Sequence, residues 1–184
     1  MGVSNNALNR VVFLDRDGVI NAAIVRDGKP NPPGSVVDTH ILDDVPQALA
    51  LLKAAGFHLA VVTNQPDVAR GTQRREQVEA INAFLASVLH IDHFEVCYHD
   101  EADACDCRKP KPGLIYRSAR ALGVEAQGGF VVGDRWRDIE AGQAAGCRTV
   151  WIDRGYDEKS PSGYDYRTTS LLEASKWIVQ PITL

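Results

Sequence analysis

Short apolar runs alternate along the chain with longer stretches in which apolar positions recur every three or four residues. Val11–Leu14, Leu59–Val62, Phe130–Val132 and Thr149–Ile152 are continuous β-rich runs, and Phe94-Glu95-Val96 is a weaker one. Continuous rather than alternating hydrophobicity predicts strands covered on both faces. Between them lie helical patterns. One covers Pro46–Ala55, opening on a proline after two aspartates and stopping at Gly56. A second covers Thr72–Leu89, with Val78, Ile81, Leu85, Val88 and Leu89 on one face. Leu114–Leu122 and Ile139–Ala145 each end at a glycine, and a last helix is predicted over Ser170–Val179. This alternation implies an α/β fold, a doubly wound, Rossmann-like parallel sheet with helices on both faces.

In such sheets ligands bind beyond the carboxyl ends of the strands. Asp15 follows the first strand, Thr63 the second and Gly133-Asp134 the fourth, so the polar residues suited to chemistry fall where a site would form. Arg16–His40 is rich in Gly and Pro with little periodicity, and reads as a long functional loop. Neither it nor the stretch between the second and third strands has room for a cap domain. The expectation is one domain over 1–184 with an open site and a small loop, 96–110, after the third strand.

Composition changes this picture little. Hydrophobic residues make up 45% and charged residues 24%, as in ordinary globular chains. A net charge of -4 argues against a nucleic-acid partner, which calls for a basic face, but leaves room for a small anionic substrate held by local cations. No apolar run approaches a membrane span, and Met1–Arg10 lacks a signal-peptide core, so no membrane partner and a cytoplasmic location are expected. Three of the four cysteines, Cys97, Cys105 and Cys107, crowd into eleven residues with His99. In a reducing compartment such a cluster points to metal rather than to disulfides. Three thiolates and an imidazole make a closed tetrahedral zinc set, structural because no position stays open. Cys147 stands apart and reads as a small buried residue.

Four motifs appear in order. They are Asp15-Arg16-Asp17-Gly18-Val19, Val61-Val62-Thr63-Asn64, Arg108-Lys109-Pro110-Lys111-Pro112 and Gly133-Asp134-Arg135-Trp136-Arg137-Asp138. Any one of these aspartates alone reads as readily as a helix cap or a solvated loop residue. The ordered set resembles the haloacid dehalogenase superfamily. That resemblance implies Asp15 as nucleophile and Asp17 as acid and then base. It implies Mg2+ on Asp15, Asp134 and the Asp17 carbonyl, with Lys109 and Thr63 on the transferring phosphoryl group. The chemistry agrees. An ionised carboxylate needs no base to attack phosphorus, and a divalent cation removes its repulsion from a phosphate dianion. Of two close carboxyls, one pKa should rise. Asp138 reads equally as a residue supporting the metal site and as the N-cap of the following helix.

The string Cys105-Asp106-Cys107-Arg108-Lys109-Pro110 is similar to the zinc loop of one subgroup, the D-glycero-D-manno-heptose 1,7-bisphosphate 7-phosphatases, although His99 and Cys105 are closer together than in many of them. The resemblance implies a small phosphorylated metabolite as partner. It implies substrate contacts from Asn64, Arg108 and Arg135, whereas Arg26 and Lys29 read as solvated loop cations. Histidinol phosphate is an alternative if Glu101 and Asp103 form an acidic pocket. A polynucleotide end, or a zinc-stabilised binding module without catalysis, are others. A monomer is expected, an open site being equally compatible with a covering subunit. Tyr156, Tyr164 and Tyr166 read as packing the tail.

Overall fold

The computed structural model describes residues 10–180. The polar opening segment, read above as lacking a signal core, otherwise lies outside the described residues. The strands are β1 (Val11–Leu14), β2 (Ile24–Arg26), β3 (Lys29–Asn31), β4 (His58–Asn64), β5 (His93–Cys97), β6 (Phe130–Gly133), β7 (Arg148–Ile152) and β8 (Tyr166–Thr168). The helices are α1 (Val45–Ala54), α2 (Arg75–Val88), α3 (Gly113–Leu122), α4 (Trp136–Ala144) and α5 (Leu171–Val179). Six strands form one parallel sheet in the order β5-β4-β1-β6-β7-β8. The doubly wound expectation therefore holds.

Alternate residues of each strand feed opposite faces. Val12, Leu14, Leu59, Val61, Val132 and Val150 pack with Leu49, Leu52, Ile81, Leu85 and Ile178 under α1, α2 and α5. Val11, Phe13, Ala60, Val62 and Val131 pack with Leu114, Ile115 and Ala141 under α3 and α4. Burial on both faces is why these strands read as unbroken apolar runs. The chain leaves β1 for β4 on one side and later crosses to β6 on the other. The sheet order therefore reverses at β1, and a crevice opens beyond its carboxyl end.

Two elements depart from the sequence reading. The presumed loop Arg16–His40 contains the antiparallel hairpin β2–β3, turned by Asp27 (φ 51) and Gly28 (φ 71). Paired positive φ values suit the tight turn that matches strand twist, and Asp-Gly is its usual sequence. The edge strand β8 was not predicted. Its three residues alternate in exposure and carry no apolar run. Among the described residues no helix is long and apolar enough to cross a membrane.

Candidate active site

β1 ends at Leu14, and Asp15 is held in place by its amide, which donates to the Val132 carbonyl at 2.9 Å. The Asp15 carboxyl thus lies between β4 and β6. Lys109 reaches it from the loop before α3. Its Nζ donates to Asp15 Oδ1 at 2.7 Å, to Asp138 Oδ1 at 2.5 Å and to the Val62 carbonyl at 2.8 Å. Lys109 is only 3% exposed. Burial works against its charge, yet Asp138 and Asp15 outweigh it and hold its pKa above the usual lysine value. The same burial pushes the Asp15 carboxyl up to about 6, because the single ammonium is shared and Asp138 and Asp17 stand nearby. Burial also raises Asp134 well above the ordinary carboxyl range, with Asp15 and Asp138 adding to it. The rise expected beside the nucleophile therefore falls on Asp15 itself and on Asp134.

Such a crowd of buried carboxyls fits a divalent cation. Oxygens of Asp15, Asp134 and Asp138 lie within 4.8 Å of one another, and Asp134 Oδ1 is buried with no hydrogen-bond partner among the described residues. Hard oxygen donors with one oxygen unspoken for suit Mg2+. Glycines make the room. A Cβ on Gly18 (φ +86) would stand 1.9 Å from Asp134 Oδ2, and one on Gly133 would stand 2.1 Å from the Asp138 Cβ.

Asp138 is not the N-cap of α4, a place taken by Arg135. It sits in the first turn of the helix. There Oδ2 accepts the Arg135 amide at 3.0 Å while Oδ1 takes Lys109. Asp17 is surrounded by donors. They are Arg16 Nε and Nη2 at 3.2 and 3.1 Å, Asn21 Nδ2 at 2.9 Å and Gln65 Nε2 at 2.8 Å. Gln65 Nε2 also donates to Thr63 Oγ1 at 3.0 Å, so the threonine hydrogen is left to point elsewhere. Arg16 is fully buried and reaches Asn82 on α2 at 3.0 Å. Asn64 clamps the Lys109 backbone from both sides, with Nδ2 on its carbonyl and Oδ1 on its amide at 3.1 Å each.

A cavity of about 280 Å³ opens over this group, lined by Asp15, Asp17, Thr63, Asn64, Lys109 and Asp138 at its floor. Arg108 and Arg135 line it as well. Arg135 is held in a fork by Glu158 at 2.8 and 2.6 Å. Lys29, read from sequence as a solvated cation, also lines the cavity because the β2–β3 hairpin folds over it. Arg26 is not among the lining residues. The wall further includes Arg70 and Arg137, to which no substrate role was assigned from sequence. Of the two residues suggested for an acidic pocket, Glu101 lines the cavity and Asp103 is not among the lining residues. Glu101 pairs with Arg137 at 2.9 Å, and Asp103 caps the Asp100 amide at 2.7 Å.

Beside the cavity Cys97, His99, Cys105 and Cys107 converge. The sulfur separations are 3.8, 3.2 and 3.5 Å, and His99 Nδ1 lies 3.6 and 3.3 Å from Cys97 and Cys107. A tetrahedron with zinc–sulfur bonds of about 2.3 Å has edges of about 3.8 Å, so the donor set fits zinc. Cys147 is buried and donates to the Ala126 carbonyl. Tyr166 stacks on Trp177 and Tyr164 packs on Trp151, as tail-packing residues would. Tyr156 does not belong with them. Its hydroxyl donates to Asp134 Oδ2 at 2.8 Å, a contact between residues 22 positions apart that no motif marks.

A family model described as haloacid dehalogenase-like hydrolase matches residues 35–146, more than half of the chain. The chain belongs to the haloacid dehalogenase-like hydrolases. It is 34% identical to the D-glycero-beta-D-manno-heptose-1,7-bisphosphate 7-phosphatase of Pseudomonas putida over 82% of this chain and 86% of that one. The enzyme of the same name from Pseudomonas aeruginosa is 36% identical, over 79% and 82%. Among solved structures, the D,D-heptose 1.7-bisphosphate phosphatase from B. bronchiseptica, complexed with magnesium and phosphate, superposes with a TM-score of 0.79. It is 29% identical, and the match covers 93% of this chain and 98% of that one.

Proposed function

We propose that this protein is a Mg2+-dependent phosphatase that removes the 7-phosphate of D-glycero-D-manno-heptose 1,7-bisphosphate in the making of nucleotide-activated heptose. The observation that carries this is the buried Lys109 ammonium bridging Asp15 and Asp138, with the unpartnered oxygen of Asp134 alongside.

Asp15, Asp134 and the Asp17 carbonyl would hold Mg2+, which when bound neutralises the nucleophile and phosphoryl oxygens so that they can approach. Asp15 forms a bond to phosphorus as the sugar oxygen leaves. Lys109 draws charge from the phosphoryl oxygens, and the Thr63 hydroxyl, relieved of its acceptor duty by Gln65, donates to one of them. Asp17 would give a proton to the leaving oxygen after taking one up from solvent and turning toward the cavity, away from the Arg16, Asn21 and Gln65 donors that hold it as a carboxylate. It then takes a proton from the water that hydrolyses the aspartyl-phosphate and so returns Asp15 and inorganic phosphate. Zinc on Cys97, His99, Cys105 and Cys107 would stiffen the loop whose next two residues are Arg108 and Lys109. Arg108, Asn64 and Arg135 would face the sugar or its second phosphate. The pairing of Glu101 and Asp103 within the protein counts against an ammonium-bearing substrate such as histidinol phosphate.

Phosphate release with Mg2+ from both anomers of heptose 1,7-bisphosphate, measured against histidinol phosphate, tests the assignment. A preference of about a hundredfold in kcat/KM, about 2.7 kcal/mol of transition-state discrimination, is expected for one or both anomers. Asp15→Asn is expected to abolish turnover. Equal or faster turnover of histidinol phosphate would transfer the same chemistry to another substrate.

A further inference from the structure

We infer that Tyr156 is a positioning residue for the metal site: its hydroxyl pins one oxygen of Asp134 so that the other stays turned toward the cation. The inference rests on the reading of Asp134 as a Mg2+ ligand. The Tyr156 bond to Oδ2, 2.8 Å, is the one hydrogen bond the Asp134 carboxyl makes among the described residues, and Oδ1 is left bare and buried. Gly18 closes the third side. The space its missing side chain would take is filled by Asp134 Oδ2 and, at 2.8 Å, by the Tyr156 hydroxyl. The Asp134 backbone is tied separately, its carbonyl accepting Trp151 Nε1 at 3.2 Å. What remains to be set is therefore the rotation of the carboxyl, and Tyr156 sets it.

The segment bearing Tyr156 is anchored without the hydroxyl. Arg154 Nε donates to the Gly18 carbonyl at 2.8 Å, the Asp157 amide donates to the Gly28 carbonyl at 2.9 Å, and Glu158 holds Arg135. This strap after β7 thus joins the loop of the nucleophile, the β2–β3 hairpin and the start of α4. Removing only the Tyr156 oxygen should leave the strap in place and free the Asp134 carboxyl. Partners that orient metal ligands typically change affinity by about 10–100-fold when removed.

The test is calorimetric titration of Mg2+ alone into the full-length, zinc-loaded protein. Tyr156→Phe should weaken Mg2+ binding about tenfold and raise the Mg2+ needed for half-maximal turnover by a similar factor. The KM for phosphorylated substrate at saturating Mg2+ should hardly move. Tyr164→Phe, in the same segment but packed on Trp151, should leave Mg2+ affinity unchanged. Where the Phe variant fails to fold, Tyr156→His, which keeps a ring donor, and Tyr156→Leu, which does not, carry the same contrast. Mg2+ affinity within twofold of wild type in folded Tyr156→Phe, or an equal loss in Tyr164→Phe, would overturn the inference. Mg2+ binding that survives Asp134→Ala would overturn it while leaving the Asp15 chemistry standing, and no Mg2+ binding by the wild type would overturn both.

Discussion

Two carboxyls, Asp15 and Asp138, share one buried ammonium with a third, Asp134, buried close by, and that imbalance is the residue-scale fact with the largest consequence. Without a cation the Asp15 pKa lies at about 6, and Asp134 well above its ordinary 3.8. A carboxyl raised in this way stabilises the metal-free fold at pH below its unfolded value, and that contribution is lost as pH rises through the folded value. Mg2+ must displace the same protons, so its affinity should climb steeply, about tenfold per unit or more, as pH rises from about 5 through 6, then level off once Asp15 and Asp134 are both ionised. Titrations in buffers of different ionisation enthalpy would show the released protons. An affinity that stays flat between about pH 5 and 7.5 would mean that these carboxyls are already ionised without metal. The residues behind this chemistry were legible in the sequence because each belongs to a motif at a strand or loop end. Those that hold them were not. Gln65 meets Asp17 across 48 positions of chain and Tyr156 meets Asp134 across 22, contacts that exist only once the sheet order is set.

At the scale of elements, the strands buried on both faces announce themselves, and those without a buried face do not. β1, β4, β6 and β7 were readable because both faces are covered, whereas β8 and the β2–β3 hairpin expose much of their surface. The hairpin did carry a signal, Asp27-Gly28, that weighs more than the absence of an apolar run. The segment from Cys97 to Lys109 is the opposite case, legible from its donor residues and yet nearly without core. Only Cys97, Cys107 and Lys109 in it are buried. Its order therefore depends on the tetrahedral donor set and on exposed ion pairs such as Arg70–Asp100, which contribute little. The purified protein should carry about one zinc per chain by elemental analysis. Stripping it with a strong chelator, or changing Cys107 to Ser, should lower the melting temperature by several degrees and cut turnover at least about tenfold, because Lys109 loses its fixed approach to Asp15. A chelated, zinc-free protein with undiminished kcat would show that Asn64, which clamps the Lys109 backbone, suffices to hold the loop.

Across the whole molecule the charge balance is acidic, with a net charge of -4, but the cavity departs from that average. Its walls carry six cationic side chains, Lys29, Arg70, Arg108, Lys109, Arg135 and Arg137, against five acidic ones. A bound divalent cation would tip the cavity clearly positive. Among the described residues only the short β2–β3 hairpin reaches over it, so the field reaches solvent and salt can screen it. At about 0.15 M salt the Debye length is about 8 Å, comparable with the reach of these side chains, and much of the attraction should already be lost there. Charged clefts of this kind raise capture rates for oppositely charged ligands by amounts that fall steeply with ionic strength. Between about 20 and 300 mM added salt, kcat/KM for a sugar bisphosphate should therefore fall several-fold, almost entirely through KM. Turnover of a monophosphate of the same sugar should fall less, because it carries less charge into the cleft. Steady-state kinetics over a salt series, with Mg2+ kept saturating, separates the two. An equal response of both substrates would mean that the rim cations stay neutralised by their own partners, Glu158 on Arg135 and Glu101 on Arg137, when substrate arrives. A kcat that fell in step with kcat/KM would instead place the salt effect on the buried Lys109–Asp15 pair, where screening should be weak.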